Sequence, residues 1–366
     1  MVDFSIGDDL ELVLETARRF AQEQLVPVQR EAESARGVTS ALQAEAHEIG
    51  FDRIDWPDAI GGAGLGALAR VHMLEELAAG CPGASLALLP FGSVAHALLA
   101  FRGNAELQHH AEQVADQPEK RALLVFDHRN ALKLEANRLS GTLPWVPADR
   151  VDILAVLTRD RLVLVTEGIE LTPVTGSGLR AAGASGVRLV EAPVAASWTD
   201  AVAAAQALAH ARLHLAAMLV GQMHAAAEYA RHYALERVAF GKPIAHHQAI
   251  AFLIVDMHSA VNTARQLVHE AAWRIDSEAT GDPTAAAAAA FIEAAESALF
   301  IGTNAVQLLG AAGFMRDYPV EKHMRELRAL GLLLGGADAA RDDALGMAAS
   351  QPAEALSTFL MTACAD

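Results

Sequence analysis

Apolar residues recur at helical spacing along most of the chain and at strand-like spacing only near its middle. From residue 8 to about 115 the pattern predicts helices. Leu10, Val13, Ala17 and Phe20 share one face behind Asp8-Asp9, which can cap the first turn. A Gly/Pro-rich break, Trp56-Pro57 through Gly66, precedes a helix near Ala67 to Ala79. Another helix is expected from Ser85 to Phe101, interrupted near Pro90. From about Lys120 to Val194 the apolar runs shorten to Leu123–Phe126, Ile153–Leu157 and Leu162–Val165, separated by turn residues, which predicts a small β domain. No helices alternate with these runs, so a parallel β-α-β sheet is not expected. Long helices then return. Ala201 to Glu236 contains no proline and one glycine, Gly221, and the segment 247–276 buries a face of Ile250, Leu253, Ile254, Met257, Val261, Ala264, Val268, Ala271 and Ile275. Asp282-Pro283 offers a cap and a first-turn proline to a further helix that runs through Ala285 to about Leu309 and stops at Gly310. The alanine run 285–290 lies inside it and predicts close helix packing. Long helices with short turns suggest an antiparallel bundle. The predicted organisation is a helical domain (1–116), a middle β domain (117–198) and a C-terminal helical bundle (199–366).

Composition narrows the function. The chain has 366 residues, 52% hydrophobic and 20% charged, which excludes a disordered protein. Aromatics are only 5%, and alanine, the best helix former, fills the apolar share. Two cysteines, Cys81 and Cys364, exclude a disulfide framework and a CxxC site. A net charge of −17 argues against binding nucleic acid through phosphate neutralisation, though local basic residues could still hold a small anion. The opening residues lack the basic start and apolar run of a signal peptide, and no uninterrupted apolar stretch of ~18 residues predicts a membrane span. A cytoplasmic location is therefore expected.

Several motifs compete with plainer readings. Gly62-Ala-Gly64-Leu-Gly66-Ala67 spells GxGxxA, but Phe51 to Asp58 makes a poor preceding strand, so a loop before a helix is preferred over a dinucleotide fold. Among fifteen histidines there is no HExxH and no ligand spacing, so no metal is expected. His109-His110 and His246-His247 are read as surface or junction pairs. No GxSxG elbow occurs. Two segments are more informative. Arg237-Val-Ala-Phe240-Gly241-Lys-Pro243-Ile244, followed by Gln248, places a cation, a ring and an amide within one loop and one helical turn. Gln307-Leu-Leu-Gly310-Ala311-Ala-Gly313 ends a helix, and Tyr318-Pro319-Val-Glu321-Lys-His-Met-Arg325 restarts one. Taken singly, the first is an interhelical turn and the second a helix C-cap.

Together these segments resemble the acyl-CoA dehydrogenase family, whose pattern R-x-x-F-G-x-P-I with a later Gln precedes Q-x-x-G-G-x-G and a Y/F-P-V-E-R/K helix. Ile54-Asp-Trp56-Pro57-Asp-Ala-Ile-Gly61-Gly62 is similar to that family's W-P-E-E-Y-G-G, and Glu75-Glu76-Leu77, Gly92-Ser93 and Leu179 through Val194 fit as well. The resemblance covers nearly the whole chain. It implies a mainly α fold with a small, barrel-like central β domain and a C-terminal four-helix bundle. It also implies FAD, an acyl-CoA substrate and an electron-transfer acceptor. A carboxylate in such enzymes removes the α proton while the β hydride passes to the flavin.

The departures from that pattern are specific. Counting from Arg325 and Arg328 puts Leu334 where the family's catalytic Glu stands and Gly336 where its Thr stands. The alternative base position, on the helix before the R-x-x-F-G motif, falls at Ala211-Arg212. The T-E-P-x-x-G-S-D segment is missing near Val125 to Glu135. Trp145-Val146-Pro147-Ala148-Asp149 replaces W-I-T-N-G, with Pro147 in place of a Thr that hydrogen-bonds the flavin. What survives is the set that reaches across to a neighbour's FAD: Arg237, Phe240, Gln248, Gln307 and Gly310, with Ala311 replacing the second Gly. The resemblance therefore implies a subunit without its own base, contributing to an FAD site shared with a second dehydrogenase-like chain. Subunits of that kind occur in heterotetramers acting on bulky, steroid-derived CoA thioesters. The rivals are a self-sufficient homotetramer using Asp338, Asp342, Asp343 or Glu321 as base, and a scaffold or regulatory subunit without flavin.

Overall fold

The computed structural model describes residues 8–115, 120–277 and 283–350. Seven helices come first: α1 (Asp8–Phe20), α2 (Gln29–Ala35), α3 (Ser40–Ile49), α4 (Gly66–Gly80), α5 (Pro82–Leu88), α6 (Ser93–Arg102) and α7 (Asn104–Ala115). The break expected near Pro90 separates α5 from α6. The expected Asp8-Asp9 cap and the Asp282 cap concern side chains outside the described residues.

The middle of the chain is a seven-stranded sheet: β1 (Ala122–Phe126), β2 (Lys133–Glu135), β3 (Arg138–Val146), β4 (Ile153–Leu157), β5 (Arg161–Val165), β6 (Ile169–Pro173) and β7 (Ser185–Thr199). Its order is β1-β4-β5-β7-β3-β2, with β6 also on β7. The pairing is antiparallel except for β1 with β4, which run parallel from Ala122↔Ile153 to Phe126↔Leu157. The expectation of no parallel β-α-β sheet holds: the one parallel pair among the described residues is connected through β2 and β3 rather than a helix. Every residue of β4 is buried, as suits a strand covered on both faces.

The remaining helices are α8 (Ala201–Glu236), α9 (Gln248–Asp276), α10 (Pro283–Leu309), α11 (Val320–Leu330) and α12 (Gly336–Ser350). Asp200 caps α8, accepting from the Val202 and Ala203 amides at 2.9 and 3.1 Å. Alanine does the packing: Ala287, Ala288 and Ala290 of α10 are fully buried. Gly221 permits the closest approach, because a Cβ there would sit 2.0 Å from the Glu75 carbonyl oxygen of α4. The segment Pro283–Phe314 is long and apolar enough, by length and composition, to cross a membrane. Half of its most apolar window is buried, which is how the core helix of a bundle reads.

The GxGxxA loop has no strand before it. Two 3₁₀ turns, Phe51–Arg53 and Asp58–Ile60, lead into it. The start of α4 is occupied by a side chain of the chain itself: Asp276, at the end of α9, accepts from the Ala67 and Leu68 amides at 2.6 and 2.8 Å. That carboxylate fills the place an anion would take. It also ties the N-terminal helices to the bundle. Asp276→Ala should lower unfolding free energy by about 1–2 kcal/mol, the usual cost of losing a cap, and Asp276→Asn by less. Urea unfolding followed by circular dichroism checks both.

Candidate functional site

A cavity of about 770 Å³ lies where the sheet meets the two helical regions. Its walls come from Leu86 to Ser93, β1, the stretch Leu143–Arg150, His214-Leu215 of α8, and Arg328 through Leu334. The α11–α12 turn reaches the cavity through a tight backbone. Leu334, Gly335 and Gly336 have φ of +53°, +83° and +68°. A Cβ at Gly335 would fall 2.6 Å from Ala339 Cβ, so glycine is required there. Leu334 is thereby held at the wall, packed against the main core and against the smaller core formed by α6 and the sheet. Ala211 is fully buried within α8.

The proton acceptors of this wall are few. Among the described residues, Asp149 is its single carboxylate. Arg36 grips Asp149 with two guanidinium bonds of 2.6 and 2.9 Å, and the Ala184 amide donates at 2.9 Å. These partners hold its pKa below the ordinary range against the opposing pull of burial. His214 is fully enclosed, and burial pushes its pKa down to about 3, with the Arg70 charge adding to the effect. Its imidazole is neutral and a poor proton acceptor. The four carboxylates that the homotetramer reading would nominate lie elsewhere. Asp343 is clasped by Arg159 at 2.7 Å and by Arg212. Glu321 is held by Arg30 at 2.5 Å and Arg325 at 2.8 Å. Asp338 is almost fully exposed, paired with Arg341 at 3.2 Å, and Asp342 is exposed. None of the four lines the cavity.

The two motif segments meet at one end of the bundle. α8 and α10 finish there and α9 starts there, and the Tyr233 ring of α8 lies edge-on to Tyr318, centroids 6.1 Å apart. Arg237, Phe240, Gln248, Gln307, Gly310 and Ala311 are all exposed. Phe240 sits at the turn with φ +54° and is 96% exposed. No side-chain hydrogen bond or ion pair joins Arg237, Gln248 or Gln307 to another of the described residues. The adjacent histidines brace this turn: His247 Nε2 lies 3.2 Å from the Ala239 carbonyl, and Lys242 donates to the His246 carbonyl at 2.9 Å. His246-His247 thus sits at a junction, as expected. His110 departs from its surface reading, since it is buried with Nε2 3.4 Å from Glu106. Among the described residues no group of three or more His, Cys, Asp or Glu is arranged to hold a metal.

The sequence reading missed Arg36, Arg121 and His214 in the cavity wall. Arg36 and Asp149 are far apart in sequence, and no local spacing announces their pairing. Arg121 is marked only as a cation directly before an apolar run.

Two family models match the chain: "Acyl-CoA dehydrogenase, N-terminal domain" over residues 7–111 and "Acyl-CoA dehydrogenase, C-terminal domain" over residues 201–346. Benzylmalonyl-CoA dehydrogenase of Aromatoleum aromaticum is 27% identical over 92% of this chain and 96% of its own length. Butyryl-CoA dehydrogenase of Megasphaera elsdenii superposes with a TM-score of 0.81 at 22% identity, covering 94% of this chain and 99% of that one. A variant of the Tcur3481-Tcur3483 steroid ACAD superposes equally well, with a TM-score of 0.81 at 24% identity over 95% of this chain and 100% of that one.

Proposed function

Because the chain belongs to the acyl-CoA dehydrogenase family, oxidoreductases acting on CH–CH bonds with FAD as cofactor, we propose that it is the non-abstracting subunit of a two-chain dehydrogenase. The observation that carries this reading is the cavity wall. Leu334 and Ala211 stand at the two positions counted for a base, and Asp149 and His214 are unsuited to take a proton. A base must lie within hydrogen-bond reach of the proton it removes, and no free carboxylate of the described residues does so here.

The residues fit FAD unevenly. At the bundle end, Arg237, Gln248 and Gln307 offer a guanidinium and two amides with no side-chain partner among the described residues, beside the exposed Phe240 ring. That set suits a pyrophosphate and an aromatic ring system. Gly310 and Ala311 keep the approach open. Within the cavity Trp145 remains, but Pro147 carries no N–H and no hydroxyl to offer a flavin. The chain's own groups thus suit the dinucleotide of a neighbour better than one of its own. When bound, FAD supplies hydride acceptance. The second chain supplies the carboxylate, and an electron-transfer acceptor reoxidises the flavin. A bulky, steroid-derived acyl group is the substrate class favoured, in keeping with the fold neighbour whose name joins two components and a steroid.

The test is flavin stoichiometry. Purified alone, the chain should be colourless or weakly flavinated and without dehydrogenase turnover. Co-expressed with a dehydrogenase-like chain that carries the family's Glu, it should elute in an equimolar, yellow complex. Arg237→Ala in that complex should weaken flavin retention about 10- to 100-fold, the worth of a charge-assisted contact. Full flavin content and turnover by the chain alone would overturn the reading in favour of the homotetramer. A colourless complex would favour the scaffold.

A further inference from the structure

We propose that a second cavity, set among the helices and away from the sheet, binds an uncharged carboxamide, with His210 donating to the ligand carbonyl and Gln206 pairing with the ligand amide. The inference goes beyond the shared flavin site and does not rest on it. The cavity measures about 400 Å³. It is lined by Asp55 and Pro57, the start of α4, α6, the N-terminal part of α8, the end of α9 and the first turn of α10. It shares no described residue with the wall of the larger cavity. At 1.5 Å per residue, His210 lies about 40 Å along α8 from Arg237.

One buried cation sets the chemistry of this wall. Arg70 of α4 is 3% exposed. Its Nε lies 3.2 Å from Asp55 Oδ2, its Nη1 2.9 Å from His96 Nδ1 and its Nη2 3.1 Å from His210 Nδ1. His96 Nε2 completes the cluster, 2.8 Å from the same Asp55 oxygen. The His96 and His210 rings stack, with centroids 4.8 Å apart and planes 12° apart. A guanidinium only donates, so His210 accepts through Nδ1 and carries its ring proton on Nε2. Burial, with the His96 and Arg70 charges adding to it, holds the His210 pKa well below its ordinary range, so the ring stays neutral. With Nδ1 turned to Arg70, the opposite edge of the ring, Nε2–H, is left for the cavity. No described residue accepts from it. Gln206 stands one turn earlier on the same face of α8, and its side chain bonds to no described residue. The cavity thus offers a fixed donor beside an amide that both donates and accepts.

Charge disfavours ions here. An anion would face the carboxylates of Asp55 and Asp276, while Arg70 is already spent on Asp55 and the two rings. Asp276 is itself committed to the Ala67 and Leu68 amides. A cation would meet the His210 N–H and the positive end of α10, which begins in the wall at Pro283. Leu99, Ala100, Ala209 and Ile275 make much of the remaining lining, which suits a compact apolar body. A primary carboxamide on such a body matches both polar groups: its carbonyl accepts from His210, and its N–H donates to Gln206 Oε1.

The test compares benzamide, benzoate and benzylammonium, one body with three heads, by calorimetry on the full chain near neutral pH. Benzamide should bind about 10-fold or more tightly than either ion. Gln206→Leu, at an exposed position, should weaken benzamide about 5-fold, the worth of one hydrogen bond. His210→Phe keeps the ring and removes the donor, and should lose at least as much. Should that variant fail to fold, Gln206→Leu and the wild-type spectrum still decide. In protein with isotope-labelled histidine, the His210 Nε2–H resonance should move downfield as benzamide is added. No binding of benzamide, an ion bound as tightly as benzamide, undiminished affinity in Gln206→Leu, or a His210 resonance unmoved while benzamide binds elsewhere would overturn the proposal. Flavin content of the two-chain complex is a separate readout, so neither result decides the other.

Discussion

Glu326→Gln should destabilise the protein by about 3–5 kcal/mol, the cost of stranding a buried charge. The charge is that of Lys322, whose ammonium lies 2.6 Å from Glu326 and 3.3 Å from Cys81 Sγ. Lys322 and Glu326 each have side chains only 1% exposed. Water cannot screen the ammonium once the carboxylate is neutralised, and the Cys81 thiol is a weak substitute. Burial raises the Cys81 pKa, so the thiol stays protonated and brings no negative charge. Replacing both members together, Lys322→Met with Glu326→Leu, should recover most or all of the loss, because desolvation of both ions then disappears. An exposed pair of similar geometry provides the contrast. Arg188 and Glu170 lie 3.0 Å apart with side chains about 60% exposed, 62% and 59%. Breaking that pair should cost less than about 1 kcal/mol. Denaturant midpoints of the three variants decide the matter; a Glu326→Gln effect no larger than that of the exposed pair would mean the ammonium has lost its proton or found water. The pair also matters for the site. It sits on α11 between Glu321 and Arg328 and fastens that helix to Cys81 at the start of α5, so it helps fix the turn that carries Leu334 into the cavity wall.

The fold was legible because its signals are local. Residue 3.6-spacing over Ala201–Glu236 and 247–276, and the three short apolar runs after Lys120, reported α8, α9 and the strands β1, β4 and β5 within a residue or two, while β2, β3, β6 and β7 had no uninterrupted apolar run to announce them. What periodicity could not report is pairing. The parallel β1–β4 ladder joins runs separated by two other strands, and nothing in either run distinguishes a parallel from an antiparallel neighbour. The bundle-end cluster was legible for a different reason. Arg237, Phe240 and Gln248 lie within one turn of chain, and their spacing carried the resemblance. The cavity wall was not legible, because Arg36 meets Asp149, and His214 and β1 come to line one cavity, only after three regions of the chain have folded together. Negative information travelled best. A Leu at position 334 and an Ala at position 211 cannot accept protons wherever they sit. The structure adds that no neighbouring carboxylate of the described residues has moved in to replace them.

Stability should collapse in mild acid, falling by about 4 kcal/mol between pH 7.5 and 5.5 from three histidines alone. His72, His214 and His323 have pKa values pushed down by burial to about 4, 3 and 3. For His214 the Arg70 charge acts in the same direction, and for His323 the Lys322 and Arg30 charges do. In the unfolded chain each titrates near 6.5. Below that pH the unfolded state binds protons that the folded state refuses, so stability is complete above about 6.5 and declines beneath it. Each histidine contributes a slope of about 1.4 kcal/mol per pH unit, and the decline levels off only near pH 3–4, where the folded form protonates too. His96 and His210 are shifted the same way by burial, so the measured slope should be steeper than the three-residue figure. Asp55 adds a later loss. Its carboxylate is held low by His96 and Arg70 against burial, so it weakens the fold only at more acidic pH. Urea titrations at half-unit intervals from pH 7.5 to 5 give the slope directly. His214→Gln should remove about one histidine's share of it. A flat profile over that range would mean that these rings are reached by water and protonated in the folded protein, and His214 would then return as a group able to take a proton in the cavity.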